Sequence, residues 1–208
     1  MTVQEYLRFT ITLVAVLDPF LAVPIFLTLT AGSGVEGRKR LINAVVVTVF
    51  LVLAGAAIFG EPLLRVIGAS LPGFRVGGGL VLLLMALAML NAEAGKVRQN
   101  PEEAEELRSG DLSGVVPLAI PLLAGPGAIS TTIIAAQAGG AAHTGLVILC
   151  VAAVCTLLFV VLRLAERIGS RMGTTGLNIA TRLLGLLLTA IAIELMAQGL
   201  RELFPGLS

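Results

Sequence analysis

The chain has 208 residues, 57% of them hydrophobic and 13% charged, with a formal net charge of +1 and a mean hydropathy of +1.00. A soluble domain carries about 25% charged residues over its surface, and a nucleic-acid-binding one shows a basic footprint, so both classes are excluded, as are disordered chains and disulfide-rich secreted scaffolds. The hydrophobic residues, roughly 119 in number, are about what six membrane spans of some 20 residues would use.

The first apolar segment covers residues 9–30. It outruns the apolar region of a signal peptide and ends in no clean small-residue cleavage site, so a mature span is expected. Asp18-Pro19 interrupts it near the middle. The second segment, residues 41–60, follows the basic run Arg38-Lys39-Arg40, and the third, residues 74–92, opens on Phe74-Arg75 and Gly77-Gly78-Gly79. That glycine run suits close helix packing better than a nucleotide loop.

Residues 93–114 are polar. Within them Asn100-Pro101-Glu102-Glu103 reads as a helix start and Ser109-Gly110 as its stop, which predicts a solvated linker with one short helix. The fourth segment, residues 115–138, contains Gly125-Pro126-Gly127 at its centre. The only histidine, His143, falls in a short connection and is expected in solvent. The fifth segment, residues 144–162, holds Cys150 and Cys155, which do not share a helix face and read as small lipid- or core-facing residues, not as a disulfide or a metal site. The sixth, residues 183–200, follows Arg182 and contains Glu194. No segment alternates apolar and polar residues as a barrel strand would.

Sliding the sequence against itself by 107 positions lays Asp18-Pro19 on Gly125-Pro126, Arg75 on Arg182 and Gly78 on Gly185. The matches are polar or helix-breaking residues, which lipid-facing composition does not supply. The expected architecture is therefore an all-α integral membrane fold of six transmembrane helices in two three-helix repeats. Residues 1–92 form the first repeat, 93–114 a cytoplasmic linker and 115–208 the second, all within one membrane domain. Three spans per half is odd, so the halves enter the membrane in opposite directions, and inverted repeats are a signature of secondary transporters.

Orientation follows from basic residues beside the spans. The connections after spans 1, 3 and 5 hold nine (Arg38, Lys39, Arg40, Lys96, Arg98, Arg108, Arg163, Arg167, Arg171), against three on the other side (Arg8, Arg65, Arg201). Both termini are expected outside. With no Trp and only Tyr6, the usual interfacial belt of Trp and Tyr is missing.

The two interruptions carry the chemistry. Proline removes a helix hydrogen bond and pushes the residue before it out of helical geometry. Asp-Pro and Gly-Pro are also N-cap and N1 pairs, so spans 1 and 4 are expected as half-helices with fresh N-termini near the midplane. Such N-termini offer bare N–H groups and a positive dipole end to an anion. The expected site takes a substrate carboxylate at Gly127, Ala128 and Ile129, with the hydroxyls of Ser130 and Thr131 one turn on. Asp18, beside Pro19, supplies the central carboxylate for an amine or a coupling proton, and Gly125 and Pro126 form the second break. Together these residues describe a pocket for a zwitterion. Arg75, Arg182 and Glu194 are candidate coupling or structural charges, since a charge at the bilayer centre costs at least about 2.5–3.5 kcal/mol. An arginine near a span end can instead snorkel to the interface.

The chain resembles the MarC/SnatA family of six-span bacterial and archaeal inner-membrane proteins. The residues that carry the resemblance are Leu17-Asp18-Pro19 with Pro24, the run from Pro121 through Gly125-Pro126-Gly127 to Ile129, and Thr181-Arg182-Leu183-Leu184-Gly185-Leu186 through Glu194. It spans essentially the whole chain. The resemblance implies a transporter of small neutral amino acids such as glycine and alanine in the cell inner membrane, coupled to an ion gradient of protons or sodium, with no cofactor. A channel or a regulatory membrane scaffold is the alternative. No enzyme chemistry is expected: an intramembrane aspartyl protease needs two membrane aspartates where only Asp18 is available, and neither H-E-x-x-H nor a G-x-S-x-G around Ser130 occurs.

Overall fold

A computed structural model describes residues 2–30, 34–91, 123–137 and 139–207. Among these residues all regular structure is helical. Helix α1 (Val3–Leu17) begins earlier than apolarity alone predicts, because Glu5 reaches back to accept the Thr2 N–H at 2.6 Å. Helix α2 (Pro19–Leu29) continues the same span after a break at Asp18. Helix α3 (Val35–Ile67) is 33 residues long, about 50 Å at 1.5 Å per residue, so it outreaches the hydrocarbon core. Gly68 ends it in the left-handed region at φ +72°, where a side chain would be strained. Helix α4 (Leu71–Leu90) is started by Ser70, whose Oγ accepts the Gly73 N–H at 3.2 Å.

Helix α5 (Pro126–Ala136) is the described part of the fourth span, and α6 (Ala141–Arg163) and α7 (Ala165–Leu203) follow. A short 3-10 turn at Pro205–Leu207 follows α7. The predicted linker helix at residues 100–109 and the start of the fourth span lie outside the described residues.

Two expectations are corrected. The connection expected to carry Arg167 and Arg171 is helical, since only Leu164 separates α6 from α7, which is interrupted at Gly173 (φ +60°). A left-handed glycine breaks a helix more locally than a loop does. His143, expected in solvent, is buried in the first turn of α6. Its Nε2–H donates to the Ala135 carbonyl at 2.7 Å, and its Nδ1 accepts from the Tyr6 hydroxyl at 2.6 Å. The carbonyl can only accept, which fixes that tautomer.

The interior is built from Leu13, Leu53, Leu82, Met89, Leu158 and Leu188, all fully buried. The outside is equally apolar: Leu51, Phe59, Leu149 and Leu183 are each more than 60% exposed. In water each such side chain would forgo roughly 1.5–3 kcal/mol of burial, so the surface is built for lipid. Among the described residues five helical stretches are long and apolar enough to cross a bilayer, with α1 and α2 counted together, and α5 is a shorter apolar helix.

Packing is mainly between the two halves of the chain. Helix α3 lies on α6, and α4 lies on α7 in the most extensive contact among the described helices. The broken first span (α1 and α2) packs on α6 and α7, while α5 packs on α3 and α4. Exchanging the halves leaves this pattern unchanged. The α4–α7 crossing is antiparallel and tight: a Cβ placed on Gly79 would meet the Ala192 carbonyl at 3.0 Å, and one on Gly185 the Ala86 carbonyl at 3.1 Å. Of the glycine run, Gly78 and Gly79 pack against α5 and α7, whereas Gly77 faces open space.

Candidate functional site

The break in the first span is local chemistry made visible. Pro19 cannot donate to the carbonyl four residues back, and Asp18 adopts φ +46° and ψ +71°. Asp and Asn enter this region more readily than other side chains because they can bond their own backbone. Asp18 does so: its Oδ1 accepts the Leu21 N–H at 3.3 Å, while its own N–H closes α1 by donating to the Val14 carbonyl at 3.0 Å. The residue is fully buried. A carboxylate held at this depth caps α2 and ends α1 at once.

The start of α5 differs from the start of α2. Gly125 is extended at φ −69° and ψ 178°, Pro126 occupies the first helical position, and no side chain among the described residues caps α5. The first N–H groups of any helix have no intrahelical acceptor. Here those are Gly127 and Ala128, both buried, whereas Ile129 already donates to the Gly125 carbonyl at 3.1 Å. Two of the three expected anion-facing amides are thus available, and Ile129 is not. The hydroxyls are also committed: Ser130 and Thr131 both donate to the Gly127 carbonyl, at 3.1 and 2.8 Å, and Thr132 donates to the Ala128 carbonyl at 2.8 Å. Each retains lone pairs and so can accept from an ammonium more readily than donate to a carboxylate.

The first turn of α5 lies against the last turn of α1. A Cβ on Gly127 would sit 3.4 Å from Val16 Cγ1, 3.0 Å from Leu82 Cδ2 and 2.7 Å from Met85 Sδ. Only a glycine lets the α5 N-terminus come this close to its neighbours. The uncapped amides of α5 therefore stand beside the helix end that Asp18 terminates. The electrostatics are complementary: a positive helix end on one side and a buried carboxylate on the other.

Arg75 sits near the start of α4, whereas Arg182 and Glu194 lie inside α7. Glu194 is half-exposed and pairs with Arg8, and Arg75 is mostly buried and pairs with Glu202 at the end of α7. Arg182 is exposed and forms no ion pair among the described residues. On the opposite side of the bundle Arg38 pairs with Glu166, tying α3 to the start of α7. Sequence reasoning does not find Arg8, Glu166, Glu202 or the Tyr6–His143 pair as functional candidates. A helical stripe of Glu5, Arg8 and Thr12 at spacings of three and four is the signal that points toward the first of them.

The sequence profile of the MarC family of integral membrane proteins matches residues 3–204. The chain is 35% identical to the UPF0056 membrane protein YvbG of Bacillus subtilis, with 95% of each chain covered. It is 34% identical to the UPF0056 membrane protein YhcE of Escherichia coli, with 97% and 94% covered. An archaeal relative, a UPF0056 membrane protein of Methanocaldococcus jannaschii, is 36% identical over 97% of this chain and 98% of its own. No solved structure matches the chain at a significant level.

Proposed function

The chain belongs to the MarC family of integral membrane proteins, and from that premise we propose that it is a secondary transporter of small neutral amino acids of the glycine and alanine type. The single observation that carries this reading is the pairing of a broken span with the start of another helix. A fully buried Asp18 sits between α1 and α2, and the uncapped start of α5 packs against the end of α1. Irregular backbone at membrane depth is tolerated where it lines a cavity or is packed by protein, and half-helix N-termini at such depth serve anionic substrate groups in transporters.

In this reading the substrate carboxylate accepts from the amides of Gly127 and Ala128. Its ammonium faces Asp18 and the lone pairs of Ser130, while Thr131 lines a cavity on the other side of Leu82. Pro19, Gly125 and Pro126 hold the two breaks open, and Ile129 shapes the wall. The crowding of Val16, Leu82 and Met85 around Gly127 favours a substrate whose side chain is no larger than a methyl group. The six spans work as two inverted repeats, residues 1–92 and 115–208, which rock against each other, and the half-exchange symmetry of the packing supports that arrangement. Protons or sodium ions drive the cycle, with Asp18 as the coupling carboxylate. The protein sits in the cell inner membrane with both termini outside.

Reconstitution into proteoliposomes tests the proposal. Uptake of labelled glycine or alanine should saturate with concentration and should accelerate when unlabelled substrate is loaded on the far side. A flux that rises linearly and shows no counterflow is a channel's behaviour. No flux across a panel of amino acids would leave a scaffold.

A further inference from the structure

A cavity of about 280 Å³ opens between α1, α4, α5 and α7 on the face of the bundle that carries Glu5 and Gln198. Its charged lining comes from Glu5, Arg8 and Arg75, and deeper in it are Thr12, Thr131 and Leu82. Leu82 is fully buried and is also one of the side chains packed on Gly127. The cavity therefore ends one side chain short of the α5 N-terminus.

Most of the charge around it is already committed. Glu5 accepts the Thr2 N–H, and Arg8 pairs with Glu194. Thr12 and Thr131 donate to the carbonyls of Arg8 and Gly127 within their own helices. Arg75 is the exception. Glu202 takes its Nη1, but its Nε is buried and has no partner among the described residues. A guanidinium grips a carboxylate side-on through the Nε–Nη2 edge, and that edge is the one Glu202 leaves. A buried, charged donor without an acceptor is a costly arrangement that an incoming acceptor relieves. Its backbone is also held firmly, since a Cβ on Gly199 would meet Arg75 Cβ at 3.1 Å.

We propose that this cavity is an entry site for the carboxylate of a small solute, with Arg75 as its ligand and Leu82 as the gate between it and Gly127. The inference rests on the transporter reading but concerns a different place in the molecule. A solute captured here by its carboxylate stands above Leu82. Displacing that one side chain, together with Val16 and Met85 beside it, opens the way to the uncapped amides of α5.

Thiol accessibility tests the site without requiring transport. In a protein with Cys150 and Cys155 changed to Ala, Thr131→Cys should react with a membrane-impermeant methanethiosulfonate from the same face as the exposed control Gln198→Cys. Ala128→Cys, below the gate, should stay unreactive until Leu82→Ala is added. Alanine or propionate at ten times its dissociation constant should slow Thr131→Cys modification about tenfold by mass action, and ethylamine should not. Arg75→Gln should abolish that protection, while Glu202→Gln, which breaks the same ion pair but leaves the guanidinium, should keep it. An unreactive Thr131→Cys, protection by ethylamine, or equal loss of protection in both variants would each overturn the proposal. Protection without any transport in proteoliposomes would sink the transporter reading and leave this site standing. Transport without protection would do the reverse.

Discussion

Replacing one glycine at a time in Gly77-Gly78-Gly79 isolates how closely α4 and α7 must approach. Glycine to alanine inside a helix gains about 1 kcal/mol in helix propensity, and all three positions share that gain. The neighbours then separate them. A Cβ added at Gly77 would have nothing within 4 Å, one at Gly78 would lie 3.2 Å from Ser130 Cβ and Oγ, and one at Gly79 would lie 2.5 Å from Met196 Cγ. Met196 can swing away, but the Ala192 carbonyl at 3.0 Å and the Met196 amide nitrogen at 3.1 Å are backbone. Restoring ordinary contact requires the helices to part by roughly 0.5 Å, and overpacking of this kind costs about 1–3 kcal/mol. Gly77→Ala should therefore stabilise the protein by up to about 1 kcal/mol, Gly78→Ala should be near neutral, and Gly79→Ala should fall about 1–3 kcal/mol below Gly77→Ala. Thermal unfolding in detergent, followed by far-ultraviolet circular dichroism, reads the series at roughly 2–4 °C per kcal/mol. Equal midpoints for Gly77→Ala and Gly79→Ala would refute the close α4–α7 contact.

Two further outcomes follow from the architecture. In a cysteine-free background, Glu36→Cys and Arg167→Cys should be shielded from an impermeant thiol reagent in intact cells while Ala141→Cys reacts; labelling of Glu36→Cys would reverse the proposed orientation. Tyr6→Phe leaves the His143 Nδ1 without its donor and should cost about 1–3 kcal/mol, yet it should cost almost nothing once His143→Leu is present, and additive losses in that double-mutant cycle would dismiss the pair.

The features legible in the sequence are those that local rules govern. Asp18-Pro19 announces a helix break and Gly125-Pro126 a helix start, because proline's missing N–H and the bonding habits of aspartate act within four residues. Hydropathy reads the helix at Ala165–Leu203 too short because its first turns are polar, and apolarity marks the buried part of a membrane helix and not its full length. His143 defeats sequence reasoning for a different reason. Its partner Tyr6 lies 137 residues away, and only the docking of α6 against α1 turns a loop-like histidine into a buried clamp. The cavity residues come from four helices, so no single segment betrays them. The commitment of the Ser130 and Thr131 hydroxyls to Gly127 is likewise a matter of rotamers, which composition does not encode.

The role of Asp18 is the most direct test of the account. Asp18→Asn keeps the side chain's size and a cap as good as the original, so folding and expression should survive, but the residue can no longer ionise. In proteoliposomes the account predicts that concentrative uptake of glycine or alanine collapses in Asp18→Asn. Because the same carboxylate also faces the ammonium, exchange should be lost with it, and exchange that persists would leave Asp18 to coupling alone. Wild-type concentrative uptake by a well-folded Asp18→Asn protein would contradict the account and remove the buried carboxylate from the transport cycle.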